Sequence, residues 1–132
     1  YDAYRSTWMF DSHTVTVPTP APVYYTPDQF IYHYFYNINL GNYAYTWSLL
    51  SASFIANNNP PSDGGYWGYV DYWNSVSQVD ITYANVLSNT GVYADVSVGM
   101  KFTYNSGLVT TAYPTYHLVW NYSLGNWQFY SP

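Results

Sequence analysis

The sequence predicts an α+β domain: three N-terminal helices packed on a curved, antiparallel four-stranded meander, preceded by an extended N-terminal arm. Three observations predict this. Apolar residues recur with a helical period between residues 26 and 76. From residue 77 to the C-terminus the apolar period is two, as in half-buried strands. The chain has 132 residues, which is enough for one domain, at residues 26–132, behind an arm at residues 1–25.

The first helix is predicted to begin at a capping box. Thr26 caps it, Pro27 occupies its first position and Gln29 reaches back to the cap. Its apolar face comprises Phe30, Ile31, Tyr34, Phe35 and Ile38. A second helix is predicted from Asn42, with one stripe formed by Tyr43, Trp47, Leu50 and Phe54. A third is predicted at about 66–76, with Tyr69, Val70, Trp73 and Val76 inward and Gly68 as a weak point.

Strands are predicted at about 79–88, 92–104, 108–122 and 127–131. Gly91 and Gly107 lie in the hairpin turns that flank the second strand. Pro114 predicts a bulge or bend in the third strand, because proline cannot donate a ladder hydrogen bond. The face of the second strand that is predicted to pack on the helices comprises Val92, Ala94, Val96, Val98, Met100 and Phe102.

The arm combines a β-branched stretch with alternating prolines. Residues 12–17 predict a short strand, and Pro18, Pro20 and Pro22 predict an extended linker at 18–22. We expect this strand to pair with a sheet edge of a neighbouring subunit. The residues expected at that interface are Trp8, Met9, Phe10, His13, Val15 and Val17. A flexible leader or an O-glycosylated stalk is the alternative.

Composition excludes some classes of function. Charged residues make up only 7% of the chain, with Arg5 and Lys101 as the only fixed cations, so nucleic-acid binding is not expected. There are 19 Tyr and no Cys, and no apolar run is long enough to span a membrane. The chain begins at Tyr1, which suggests a cleaved secretion signal and an extracellular or cell-surface location. Asn121 lies in an N-glycosylation sequon.

Three stretches resemble the NTF2-like superfamily, a cone-shaped α+β fold. They are FYNINLGNYAYTWSLLS (35–51), GGYWGYVDYWNSV (64–76) and YHLVWNYSLGNWQFYS (116–131). The chain is most similar to the small extracytoplasmic modules of bacterial surface and membrane proteins, and the arm lies outside the resemblance. The resemblance implies a conical pocket between sheet and helices, but this fold serves enzymes, binding modules and structural proteins alike.

No catalytic, metal or cofactor site is expected. Asp71, Asp80 and Asp95 each lie opposite the apolar residues of their element, so we expect them in solvent. His13, His33 and His117 are far apart in the chain, with no acidic partner at metal-ligand spacing. A general base needs an orienting partner, and the pattern suggests none for His117.

Two functional hypotheses follow. In the first, the protein is a secreted structural subunit whose arm adds a strand to the next copy, so that copies of the chain form a filament or surface layer. In the second, it is a non-catalytic extracytoplasmic binding module that holds a small apolar or carbohydrate ligand in the cone. The size of the native assembly distinguishes them.

Overall fold

A computed structural model describes residues 24–132, which form four α-helices and five strands. The helices are α1 (Pro27–Asn39), α2 (Tyr43–Trp47), α3 (Ala52–Asn58) and α4 (Gly65–Asn74), with a 3-10 turn at Pro61–Asp63. The strands are β1 (Val76–Asn89), β2 (Tyr93–Tyr104), β3 (Val109–Ala112), β4 (Thr115–Asn121) and β5 (Asn126–Phe129). The α+β class is therefore confirmed.

The sheet is an antiparallel meander in the order β1-β2-β4-β5, with β3 also paired to β2. The predicted third strand is divided at Pro114 into β3 and β4, which pair with successive halves of β2. Gly91 and Gly107 have φ values of 88° and 91° in the turns on either side of β2. Register shifts at three places along β1 and the bend at Pro114 curve the sheet around the helices.

Helix α1 lies against the inner face of this sheet. The capping box is present, with the Gln29 carbonyl accepting a hydrogen bond from the Thr26 N–H at 3.1 Å. All five residues of the predicted apolar face of α1 are buried. On β2, Ala94, Val96, Val98 and Met100 are buried opposite it, as predicted. Phe102 is half-buried, and Val92 is exposed because it lies in the hairpin turn before β2.

The predicted second helix is wrong in its length. The chain forms α2 and α3 separately, because residues 49–51 leave the helical path to pair with β5. The Phe129 N–H donates to the Leu49 carbonyl at 3.0 Å, and the Ser51 N–H donates to the Phe129 carbonyl at 2.9 Å. Ser51 then caps α3 through its hydroxyl. Leu49 is fully buried by this contact, which helical periodicity did not indicate.

The third predicted helix corresponds to α4 and is shorter than expected. Tyr69 and Trp73 are buried, whereas Val70 is half-buried. Val76 is not helical; it is the first residue of β1. Gly68 is where α4 crosses the 3-10 turn, since a Cβ there would collide with the backbone carbonyl of Asp63. The glycine therefore permits a close approach of backbone to helix.

The end of the predicted arm packs on the domain. Residues 1–23, including the strand expected at 12–17, lie outside the described residues. The Tyr25 carbonyl accepts a hydrogen bond from the Trp127 indole N–H at 2.9 Å, and the Tyr25 ring stacks on His33 with centroids 4.4 Å apart. The Tyr24 ring lies against Trp120. The chain thus enters the domain beside β4 and β5.

Candidate functional site: an aromatic cleft

A cleft of about 470 Å³ opens between the helices and the inner face of the sheet. This volume lies within the range of about 300–1,000 Å³ that is usual for small-molecule sites. We call it the aromatic cleft. Its aromatic lining consists of Tyr34, Tyr69, Tyr72, Trp73, Phe102 and Tyr116. Its remaining lining residues are Asn58, Asn59, Asp63 and Gly68.

Local sequence explains how α4 supplies half of the rings. Tyr69, Tyr72 and Trp73 are spaced at i, i+3 and i+4, so they share one side of the helix. The Tyr72 and Trp73 rings are 5.1 Å apart at 74°, and the Tyr69 and Trp73 rings are 6.3 Å apart at 74°. Phe102 of β2 lies nearly parallel to Trp73, with centroids 6.3 Å apart. These rings form walls at nearly right angles.

A buried chain of hydroxyl groups closes one side of the cleft. The Tyr69 hydroxyl lies 2.7 Å from the Tyr34 hydroxyl and 2.7 Å from the Thr46 hydroxyl. Burial raises the pKa of Tyr69 to about 12 and raises the pKa of Tyr34 well above its usual range. Burial also raises the pKa of Tyr116, whose hydroxyl contacts the Met100 sulfur at 3.4 Å. These hydroxyls are therefore neutral near pH 7.

An apolar cavity of about 70 Å³ continues inward from the cleft. Tyr34, Trp73 and Tyr116 line both spaces. The inner cavity is otherwise enclosed by Phe35, Leu50, Phe54 and Phe129. The site thus has polar side chains where α3 and the 3-10 turn end, an aromatic middle and a mainly apolar inner end.

The expectation that His117 has no acidic partner is wrong. Its Nδ1 lies 2.6 Å from a carboxylate oxygen of Asp95. The two residues are separated by 22 positions in the chain and become cross-strand neighbours in the β2–β4 register. The outward direction predicted for both is confirmed, because their neighbours Val96 and Leu118 are fully buried. The pair lies on the face of the sheet opposite to the cleft.

The position of this pair limits its chemistry. The Asp95 and His117 side chains are 40% and 37% exposed, in no enclosed cavity. Tyr130 covers one side, with its ring centroid 6.1 Å from that of His117. Desolvation and the Asp95 carboxylate raise the pKa of Tyr130. A carboxylate–imidazole pair of this kind can orient a base, but a ligand in the aromatic cleft lies beyond its reach.

The other candidate residues are dispersed. Asp71 is exposed on α4, and Asp80 faces Lys101 across the β1–β2 ladder. His33 stacks on Tyr25 and its Nε2 lies 2.7 Å from the Tyr45 hydroxyl, while burial lowers its pKa. Among residues 24–132, no three His or Asp side chains are grouped so that they could hold a metal ion.

Several predicted site residues lie outside the part of the chain that the structure describes. These are the interface residues Trp8, Met9, Phe10, His13, Val15 and Val17. The candidate glycosylation site, Asn121, is described: its Nδ2 donates to the Gln128 side chain at 3.0 Å, and its Oδ1 accepts from the Leu124 N–H at 2.9 Å. Within residues 24–132, no helix has the length and apolar character to cross a membrane.

One solved structure shares the class of fold of this chain. The solution structure of a SEC-C motif containing protein from Rhodopseudomonas palustris superposes with a TM-score of 0.56 at 10% identity, covering 80% of this chain and 75% of that protein. This likeness shows a shared small α+β fold and carries no function. It does not confirm the resemblance to the NTF2-like superfamily.

The sequence comparison connects the chain to part of a larger protein. The serine/threonine-protein kinase PknA of Nostoc sp. (strain PCC 7120) is 30% identical over 114 residues, which are 86% of this chain and 20% of the kinase. The chain therefore spans about a fifth of the length of this curated relative. No protein-family model matches the chain.

Proposed function

We propose that this chain is a non-catalytic, extracytoplasmic binding module with an NTF2-like cone, and that it holds a small ligand in the aromatic cleft. The observation that carries this proposal is the cleft itself. Six aromatic side chains converge on one concave space, with polar groups at one end and a mainly apolar cavity at the other. Concave, mostly apolar sites with a few placed polar groups are typical of ligand pockets.

The absence of catalytic groups facing the cleft supports binding rather than catalysis. Asp63 is the one carboxylate among the described lining residues, and it has no histidine beside it there. The Asp95–His117 pair is on the opposite face of the sheet. The raised pKa values of Tyr69 and Tyr116 make their hydroxyls poor acids and bases near pH 7.

The kinase similarity supports a module that belongs to a larger protein. A protein-kinase domain uses H-R-D and D-F-G triplets, and this chain has neither. The similarity therefore favours a part of such a protein outside its phosphoryl-transfer domain. The low charge and the many tyrosines favour a location outside the cytoplasm, as in the extracytoplasmic modules that the sequence resembles.

A binding screen with matched variants tests this function. The chain is titrated with neutral sugars (glucose, N-acetylglucosamine), an apolar alcohol (benzyl alcohol) and an organic cation (choline), and the amide of Gly68 and the indole of Trp73 are followed by NMR. At least one class should shift these signals saturably. Tyr72→Leu should weaken that binding, and Tyr113→Leu, an exposed tyrosine outside the cleft, should not. If no class shifts the cleft signals, the chain is not a module of this kind.

A second function, self-assembly, is favoured by the arrangement of the sheet edges. We propose that residues 12–17 of one copy pair with the distal half of β1 in the next. The arm enters the domain beside β4 and β5, whereas β1 is the opposite edge of the sheet. A donor and an acceptor on opposite edges make a head-to-tail contact, which can continue as a filament.

Only part of the edge of β1 is available to accept a strand from another copy. The Asn39 side-chain amide already pairs with the N–H and carbonyl of Val79, each at 2.9 Å, so the edge is occupied at this residue. Farther along, Val86 and Leu87 are exposed. Three register shifts twist this strand, and such bulges disfavour edge pairing, which is why assembly ranks second.

Truncation tests the assembly. Deletion of residues 1–22 should leave a folded monomer, measured by size-exclusion chromatography and electron microscopy beside the intact chain. Leu87→Lys in the intact chain should also block polymers, because an edge lysine opposes strand addition, whereas Leu40→Lys, at a similarly exposed leucine directly after α1, should not. Polymers of the truncated chain, or an intact chain that is monomeric, would contradict this second function.

A further inference from the structure

We infer that the ligand class of the aromatic cleft is a small organic cation of the quaternary ammonium type, held by the rings of Tyr69, Tyr72 and Trp73 with the Asp63 carboxylate at the polar end. This inference rests on the proposed function, because it names the ligand of the same site.

The rings form a corner rather than a flat platform. Trp73 stands at 74° to both Tyr69 and Tyr72, and Phe102 lies within 24° of parallel to Trp73. A sugar stacks best on one open ring face, while a compact, nearly spherical methylammonium group presents the same surface in every direction. Such a group can lie over the accessible face of one of these rings, where the ring quadrupole attracts it.

The charge of the lining has one sign. Among the described residues that line the cleft, Asp63 carries the only formal charge at pH 7, and no lysine or arginine is present. The chain as a whole has a formal net charge of -5, so its field attracts cations. The negative ring faces of tryptophan and tyrosine act in the same direction, and this attraction is largest where water is excluded.

The polar side chains other than tyrosine stand at one end of the cleft. Asn58 and Asn59 lie where α3 ends, and Asp63 ends the 3-10 turn. The hydroxyl of Tyr69 is already bonded to Tyr34 and Thr46. A quaternary ammonium group has no donors to satisfy, so the walls suit it.

Two isosteric probes test the class of ligand. Choline and its neutral analogue 3,3-dimethyl-1-butanol have the same shape and differ in charge. In calorimetric titrations of the full chain, choline should bind at least about tenfold more tightly than its neutral analogue. A factor of ten in affinity corresponds to a cation–π contribution of about 1.4 kcal/mol. Equal affinity of the two probes would overturn the cationic class and leave the binding module intact.

Matched variants locate the cation. Asp63→Asn keeps the shape of the rim and should weaken choline binding several-fold, whereas Asp71→Asn removes the same charge from exposed α4 and should not. Tyr72→Phe keeps the ring and should bind choline like the wild type, whereas Tyr72→Leu should not. Equal effects of Asp63→Asn and Asp71→Asn would mean that only the general field of the protein acts, and would overturn the placement of the cation beside Asp63. Saturable binding of N-acetylglucosamine without choline binding would assign the cleft to a sugar; no binding of either probe or of the sugar would end both the inference and the binding-module proposal.

Discussion

Single residues in this protein take opposite roles according to which face of β2 they occupy. Val96 is fully buried against the helices, and its neighbour Asp95 is directed outward to His117. The alternation of a strand alone separates an essential core position from a tolerant surface one. The two positions are adjacent in the chain, so each serves as the control for the other.

A change of charge at Val96 and a change of charge at Asp95 should affect the stability of the protein very differently. Val96→Asp places an unpaired carboxylate in the apolar core and should lower the free energy of unfolding by about 4 kcal/mol or more. Asp95→Asn removes one partner of a largely exposed pair and should lower it by less than about 1 kcal/mol. Urea unfolding followed by tryptophan fluorescence measures both. A similar loss for the two variants would mean that the faces of β2 have been assigned wrongly.

At the scale of elements, the helices are held together by contacts that helical periodicity does not show. The segment at 49–51 interrupts the second helical stretch because its backbone pairs with Phe129 of β5. The 3-10 turn at Pro61–Asp63 packs against α4 at Gly68. The first contact separates α2 from α3, and the second brings the backbone of the turn close to α4.

Substitution at Gly68 tests the second of these contacts. Alanine is a better helix former than glycine, so helix propensity alone predicts that Gly68→Ala stabilises α4. We expect the opposite, a loss of about 1–3 kcal/mol, because the new Cβ meets the Asp63 carbonyl and the turn must move.

The control for this prediction is Asn74→Ala at the exposed end of the same helix, which should be neutral or slightly stabilising. Thermal unfolding measured by circular dichroism compares the two variants. An increase in stability for Gly68→Ala would show that the turn does not approach the helix as closely as described. Movement of this turn should also weaken binding in the aromatic cleft, since Asp63 belongs to the turn and lines the cleft.

At the scale of the whole molecule, buried tyrosine hydroxyls connect the helices to one another. Tyr34 of α1, Thr46 of α2 and Tyr69 of α4 form one hydrogen-bonded cluster. The pKa of Tyr69 is raised from 10.0 to about 12 by burial. The unfolded chain loses this proton near pH 10 while the folded chain retains it, so the stabilisation is complete below pH 10 and is lost as the pH rises from 10 to about 12.

We therefore expect cooperative unfolding in this alkaline range. Ultraviolet difference spectra of tyrosinate should show the exposed tyrosines ionising first and the buried ones only together with the loss of the far-ultraviolet circular dichroism. Tyr116→Phe removes another buried hydroxyl of raised pKa and should move the transition to higher pH. The exposed control Tyr113→Phe should not. Independent ionisation of every tyrosine without unfolding would contradict the buried cluster.

The sequence by itself determined the class of fold, the bounds of α1 and β2, and the inward faces of these two elements. Those features follow from local rules: the capping box at Thr26, the glycine turns around β2, the bend at Pro114 and the periodicity of apolar residues. It also indicated that Asp95 and His117 point outward, since each alternates with buried neighbours.

Only the tertiary structure decided which distant residues meet. The pairing of Asp95 with His117 depends on the register of β2 and β4, and a shift of one residue would have separated them. The aromatic cleft draws its rings from α1, α4, β2 and β4, which no single stretch of sequence reveals. The division between α2 and α3 likewise arises from pairing with β5, near the other end of the chain. Local periodicity specifies which side of an element is apolar, but the partner of that side is selected by the packing of the whole chain.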